Sequence, residues 1–200
     1  MGRPPSFAAD DVVDTAMDVF WDRGYQASAV ADLEDATGLS RSSLYQAFGS
    51  KEALFDSALD RYIGSVADDL LGGMERPGAT VDDVARFFRR LAVIFRGDGA
   101  LARRGCLWVN SILESAGDAG AVNARGGEYN ARLRAAFAHA LARPGRRGAV
   151  SRATVPRRSR LLTAATFGAW IAVRVDAPHA ARVCGAVATE VEGWTAPVGR

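Results

Sequence analysis

The sequence predicts an all-α protein whose shortest elements cluster near its N-terminus. Apolar residues recur at three- and four-residue spacing in almost every segment. No segment alternates with period two between hairpin turns, so strands are not expected. Ser, Thr, Gly and Pro fall where helices would start and stop.

Taken in order, Val12, Ala16 and Phe20, joined by Val13, Met17 and Val19, form one stripe of a helix over Phe7–Arg23. Asp10, Asp11, Asp14, Asp18 and Asp22 lie opposite and read as a solvated face. Ser6 is its expected N-cap and Gly24 its stop. Ser28 is placed to cap a helix containing Val30, Leu33 and Ala36, and Gly38 breaks it. Ser40 caps the next helix, which carries Leu44, Tyr45 and Phe48. Ser50 caps a longer one through Leu54, Phe55, Leu59, Tyr62, Ile63, Val66 and Leu70, ending at Gly72-Gly73. After a Met74–Ala79 loop, Thr80-Val81-Asp82-Asp83 resembles a capping box opening a helix with Val84, Phe87, Phe88, Leu91, Ile94 and Phe95. Gly97–Gly105 reads as a loop and Cys106–Ala116 as a short apolar helix. A weaker helix covers Ala121–Arg143, with an irregularity expected at Gly126-Gly127. Arg143–Arg160 reads as a basic connection, solvated or touching an acidic partner or DNA. Two helices follow, Arg158–Asp176 and Pro178–Trp194.

The 200 residues are 48% hydrophobic and 24% charged, an ordinary globular balance. Cys106 and Cys184 are too few for a disulfide framework. Met1–Pro5 is a short polar arm and not a charged-then-apolar leader, and no apolar run is long enough to span a membrane. A reducing cytoplasm is the expected compartment. The two histidines, His139 and His179, sit in no cluster with metal-ligand spacing. Phosphate-binding glycine loops and nucleophile elbows are absent from the sequence. No catalytic residue, metal or cofactor is therefore expected, and the chain does not read as an enzyme. Charge is uneven: residues 1–50 carry eight acids against three arginines, a net of −5, while residues 51–200 net +7.

Ser28–Phe48 has the layout of a helix-turn-helix, two short helices around a glycine-containing turn. The second helix of such a unit must show small and polar side chains to a major groove. With Leu44 and Phe48 turned to the core, Arg41, Ser42, Ser43, Tyr45 and Gln46 remain outside to meet phosphates or base edges. A net of −5 in a DNA-binding region demands that its acids point away from the phosphates.

The segments Gly24-Tyr25-Gln26-Ala27-Ser28-Ala29-Val30-Ala31-Asp32-Leu33 and Ala36-Thr37-Gly38-Leu39-Ser40-Arg41-Ser42-Ser43-Leu44-Tyr45, then Phe48 and Ser50-Lys51-Glu52, closely resemble the N-terminal domain of the TetR/AcrR regulators. The resemblance covers about residues 7–56. It implies a three-helix DNA-binding domain at 1–50 and a ligand-binding and dimerisation domain of about six helices at 51–200. It also implies a homodimer on a palindromic operator, joined through its last two helices, with repression relieved by a small-molecule effector. Carried over by position, Ser28 and Lys51 would bind phosphate and Tyr45 the backbone or a base. Arg41, Ser42, Ser43 and Gln46 would read the groove. Glu34 and Ala47 depart from the family pattern, which usually has a small residue and an aromatic or His there.

For the second domain, Phe87, Phe88, Phe95 and Trp108, with Phe137, Phe167 and Trp170, are either pocket walls or core, since the two share composition. Asn110 and Glu114, four apart on one helix face, are a candidate polar handle. Cys106 follows Arg103, Arg104 and Gly105 at a helix start, where dipole and guanidiniums favour a thiolate. That makes it a redox candidate or a small buried residue. A Gly-Cys-apolar run at this place recurs in a branch of the family whose members include apparent sensors of electrophiles or oxidants. Small residues on the last two helices (Ala164, Gly168, Ala172, Gly185) permit close helix approach. A helical small-molecule-binding protein with no DNA function is the competing class.

Overall fold

A computed structural model describes residues 9–114 and 120–195, and their regular structure is helical throughout. The expected arm at Met1–Pro5, the cap at Ser6 and the helix end at Ala116 lie outside the described residues. The elements are α1 (Ala9–Arg23), α2 (Val30–Thr37), α3 (Arg41–Phe48), α4 (Lys51–Tyr62), a π turn (Ile63–Ala67) and α5 (Asp68–Glu75). They continue with α6 (Val81–Arg96), α7 (Ala100–Arg104), α8 (Leu107–Glu114), α9 (Gly120–Leu141), a 3-10 turn (Arg152–Thr154), α10 (Val155–Ala172) and α11 (Ala177–Gly193). No described helix is long and apolar enough to cross a membrane.

The first three helices form a small head. Val12, Ala16 and Phe20 of α1 are buried against α4 and α2, and Phe20 meets the Phe55 ring edge-on at 5.0 Å. Gly38 ends α2 with φ +69°, a left-handed cap that a side chain would strain.

The next rod differs from expectation. α4, the π turn and α5 run on continuously, past Gly72-Gly73 to Glu75. Phe55, Leu59 and Tyr62 are buried along it, then Ala67, Leu71 and Met74. The step from Tyr62 to Ala67 is five residues, one more than an α-helix needs to return to the same face. The π turn absorbs that residue and keeps the stripe on one side. The sequence reading followed Ile63 and Val66, which stay only partly buried.

In the body, α11 packs along α6, while α10 lies against α9 and α11. Phe87, Phe88 and Phe137 form one aromatic cluster, with Phe88 stacked on Phe137 at 5.8 Å. Phe95 meets Trp170 at 4.9 Å. The expected loop at Gly97–Gly105 contains α7, and helix resumes at Val155, so Arg157, Arg158 and Arg160 belong to the first turns of α10 and not to a connection. Nor do Gly126-Gly127 disturb α9. Gly126 stays helical because the Trp108 ring lies against it, where a Cβ would come within 2.6 Å of Cζ2.

The predicted capping box opens α6. Asp83 is only 3% exposed and accepts from the Thr80 N–H at 2.8 Å, from Arg76 at 2.9 Å and from Arg86. Burial pushes its carboxyl up. The Thr80 N–H and the two guanidiniums outweigh that and hold it below the usual value. A carboxylate with a lowered folded pKa adds stability at neutral pH that disappears as pH falls below about 4, the unfolded value, through the folded one. Asp83→Asn is thus expected to cost about 1–3 kcal/mol at pH 7, the guanidiniums being half exposed and screened. The variant's thermal stability should change less than the parent's between pH 5 and 2, measured by circular dichroism.

Candidate nucleic-acid interface

Helix α3 is held at both ends. The Ser40 hydroxyl accepts from the Ser43 N–H at 3.3 Å, and the Gly49 N–H closes the last turn on the Tyr45 carbonyl at 2.8 Å. Glu34, one of the departures from the family pattern, reaches from α2 and accepts the Arg41 N–H at 2.6 Å. Two of the donors that a helix start leaves open are therefore satisfied by side chains.

Leu44 is 2% exposed and anchors the helix. Arg41, Ser42 and Gln46 are exposed, while Ser43 and Tyr45 are half-buried at the margin. The Arg41 guanidinium stacks over the Tyr45 ring at 5.3 Å, so the two present one surface. Ser40 Oγ lies 2.9 Å from Ser42 Oγ and 3.0 Å from Ser43 Oγ, a row of hydroxyls at the helix start.

Two residues carried over for phosphate sit differently from expectation. Ser28 is fully buried and its hydroxyl donates to the Gly24 carbonyl at 2.6 Å, so it closes the turn after α1 and cannot reach a phosphate from there. It does not cap α2 either. Asp32 does, reaching back to the Ala29 N–H at 2.8 Å. Lys51 Nζ donates to the Tyr25 carbonyl at 2.6 Å and lies over its ring at 4.4 Å, tying α4 to the same turn. Partial burial lowers its pKa against the pull of Asp32 and Glu114.

The acids of α1 line its solvent side, as expected, and three of them also pair with arginines of the body. Arg61 of α4 holds Asp14 through two bonds of 2.6 and 2.9 Å, and Arg104 of α7 bridges Asp18 at 2.6 Å and Asp22 at 2.5 Å. The hydrogen bond and charge of Arg61 outweigh burial and lower the Asp14 pKa. Trp21 Nε1 donates to the Gly105 carbonyl at 3.1 Å, and Arg104 stacks on the Trp21 ring at 5.4 Å. Much of the head's negative charge is thereby turned towards the body.

The residues expected to line a ligand pocket do not converge. Phe87, Phe88, Phe95 and Trp108 are buried among other rings. Asn110 donates to the Arg104 carbonyl at 2.8 Å, and Glu114 accepts from the Gln26 N–H at 3.4 Å and crowds Gly24. Both line a groove of about 300 Å3 at the seam between head and body, away from the aromatics. Cys106 is buried, and burial pushes its thiol up in spite of bonds from the Tyr62 hydroxyl and the Val109 and Trp108 amides. Arg104 is turned to α1, and Arg103 to the Asp98 carbonyl. The flanking guanidiniums therefore do not reach the thiol, and burial outweighs the amide bonds that it receives at the start of α8. Nothing in the sequence signals that Trp108 Nε1 is buried with no hydrogen-bond partner among the described residues, in an apolar setting beside Tyr129 at 5.0 Å and Phe167 at 5.2 Å. Tyr129 also lines a depression of about 290 Å3 with Ile63 and Arg132, next to the π turn.

A capped, polar-faced second helix on a three-helix head, fixed to a larger helical body, is the layout of a helix-turn-helix. Residues 12–58 match the family model described as bacterial regulatory proteins, tetR family. The chain is 36% identical over 120 residues to the HTH-type transcriptional repressor ComR of Escherichia coli K12, covering 60% of this chain and 56% of that one. It is 31% identical over 111 residues to the repressor BdcR of the same strain, covering 56% and 55%. The chain thus spans about half the length of the curated relatives it matches. Among solved structures, a cysteine-substituted form of the TetR-family regulator CifR, complexed with a 26-base-pair operator, is 28% identical. It covers 98% of this chain and 100% of that one, with a TM-score of 0.71. A Cytophaga hutchinsonii regulator of 18% identity shares the fold, with a TM-score of 0.77 over 94% of this chain and 95% of that one.

Removing the α3 cap tests this geometry directly. Ser40→Ala should cost about 1 kcal/mol and accelerate amide exchange at Ser42–Leu44, with exchange in α1 unchanged.

Proposed function

We propose that the chain is a transcriptional repressor that binds a palindromic operator as a homodimer and releases it on binding a small-molecule effector. The observation that carries this reading is the exposed face of α3: Arg41 stacked on Tyr45, a row of hydroxyls and Gln46, on a helix whose ends are tied down. Two copies of such a face reach successive major grooves of one duplex. Arg41, Ser42, Ser43, Tyr45 and Gln46 are the reading residues, and Lys51 supports them, its remaining ammonium donors facing a phosphate. The operator-bound CifR and the two repressors among the relatives support both the DNA partner and the sign of regulation. The working unit divides as a head at 1–50 and a sensing and dimerisation domain at 51–200, acting where the chromosome is, in the cytoplasm.

Dimerisation runs through α10 and α11. Leu161, Ile171 and Val175 are large apolar residues left exposed, and with Ala164 and Gly168 they follow one side of α10 and the residues beyond it. The effector site lies around Trp108, Tyr129 and Phe167, where an indole N–H with no partner among the described residues sits in apolar surroundings and an acceptor on a ligand would satisfy it. The neighbouring π turn is an irregularity of the kind often found at functional sites.

The test is a mobility shift with duplexes from the DNA flanking the chain's own gene. Tyr45→Ala and Gln46→Ala should each weaken binding by about 1–3 kcal/mol, and Arg41→Ala should also flatten the salt dependence by about one counterion. Unchanged binding in all three would discard this face as the reader. Ile171→Asp should give a monomer in size-exclusion light scattering and lose the operator. A dimeric Ile171→Asp variant would place the interface elsewhere.

A further inference from the structure

At the end of the body away from the head, four arginines surround one depression of about 370 Å3. Arg86 and Arg89 come from α6, and Arg146 and Arg147 from the connection after α9. Two acids share it. Asp82 is occupied as a backbone acceptor, taking the Arg146 N–H at 2.9 Å, and it pins the connection there. Glu192 of α11 is the internal counter-ion, paired with Arg89 and 3.5 Å from Arg147. The Arg146 guanidinium has no carboxylate partner among the described residues. Arg86 is paired with Asp83, so four guanidiniums face three carboxylates, and displacing Glu192 leaves two positive charges in excess.

We propose that this depression binds a small phosphorylated metabolite, its phosphate monoester displacing Glu192 from between Arg89 and Arg147. A dianion matches the excess charge. Guanidiniums approach from two elements on different sides, and a tetrahedral group offers oxygens in several directions where a carboxylate offers two in one plane. The volume exceeds that of a phosphate and leaves room for an organic body, at the small end of ligand pockets. DNA phosphate is excluded by distance. The rod from Lys51 to Glu75 separates the head from Arg76, which pairs with Asp83 in the first turn of α6, by roughly 35 Å at 1.5 Å per residue. Because Glu192 belongs to α11, releasing it would loosen the tie between α11 and α6.

The test uses the full chain without DNA, so its outcome does not depend on operator binding. Orthophosphate and succinate are titrated calorimetrically at matched ionic strength. Orthophosphate is expected to bind, to weaken by about tenfold or more in Arg89→Ala/Arg147→Ala, and to tighten in Glu192→Gln, where the competing carboxylate charge is gone. Arg160→Ala, an exposed arginine on α10, should leave binding unchanged, and circular dichroism melts confirm that each variant folds. Binding that survives the double variant means an adventitious ion only and overturns the site. Absence of orthophosphate binding overturns it too, and succinate binding as tightly as orthophosphate overturns the assignment to phosphate.

Discussion

The seam between head and body governs what the rest of the molecule can do. Trp21 is buried there with its N–H on the Gly105 carbonyl, and Arg104 covers the ring while holding Asp18 and Asp22. Each ion pair taken singly is exposed enough to contribute little. Together with the buried indole they fix α1 to α7, and Arg61 fixes it to α4. The same contacts settle the electrostatic puzzle of an acidic segment that carries a nucleic-acid-facing helix. Asp14, Asp18 and Asp22 answer to cations of the body. Glu34 is spent on the Arg41 amide and Asp32 on α2's start and Arg23.

Orientation follows from that arrangement. Because α1 is held by the body and α3 is held to α2 by Glu34, the exposed side of α3 has one direction relative to the α10–α11 face that offers Leu161 and Ile171. A movement of α7 or α8 must travel through the Trp21 and Arg104 contacts, and Glu114 adds a further link from α8 to the turn after α1. The depression bearing Arg89 and Arg147 lies at the opposite end of the long rod, so the two ends of the body are chemically independent sites.

Local chemistry was readable in the sequence. Ser40, Ser50 and the Thr80–Asp83 box cap the helices they were expected to cap, because a cap is settled within four residues. The reading helix was legible for the same reason, since Leu44 and the polar residues around it lie within one element. Illegible features were those decided across the chain. Nothing near Asp18 announces Arg104, and nothing near Ser28 reveals that the turn buries it. Arg103 and Arg104 adjoin Cys106 in sequence yet point elsewhere, so proximity along the chain suggested an activation that these guanidiniums do not supply. Gly126 resembled a helix break until the indole that occupies its missing side chain was placed.

The wide turn at Ile63–Ala67 makes the chain unusually tolerant of length at one spot. It carries one residue more than regular α-helix, so losing a single residue there would convert it to ordinary coiling and leave Leu71 and Met74 on the side they now occupy. A residue lost from the regular turns on either side would instead swing everything C-terminal by about 100° about the rod axis, carrying Leu71 and Met74 off the body while leaving Leu54 and Phe55 seated on the head.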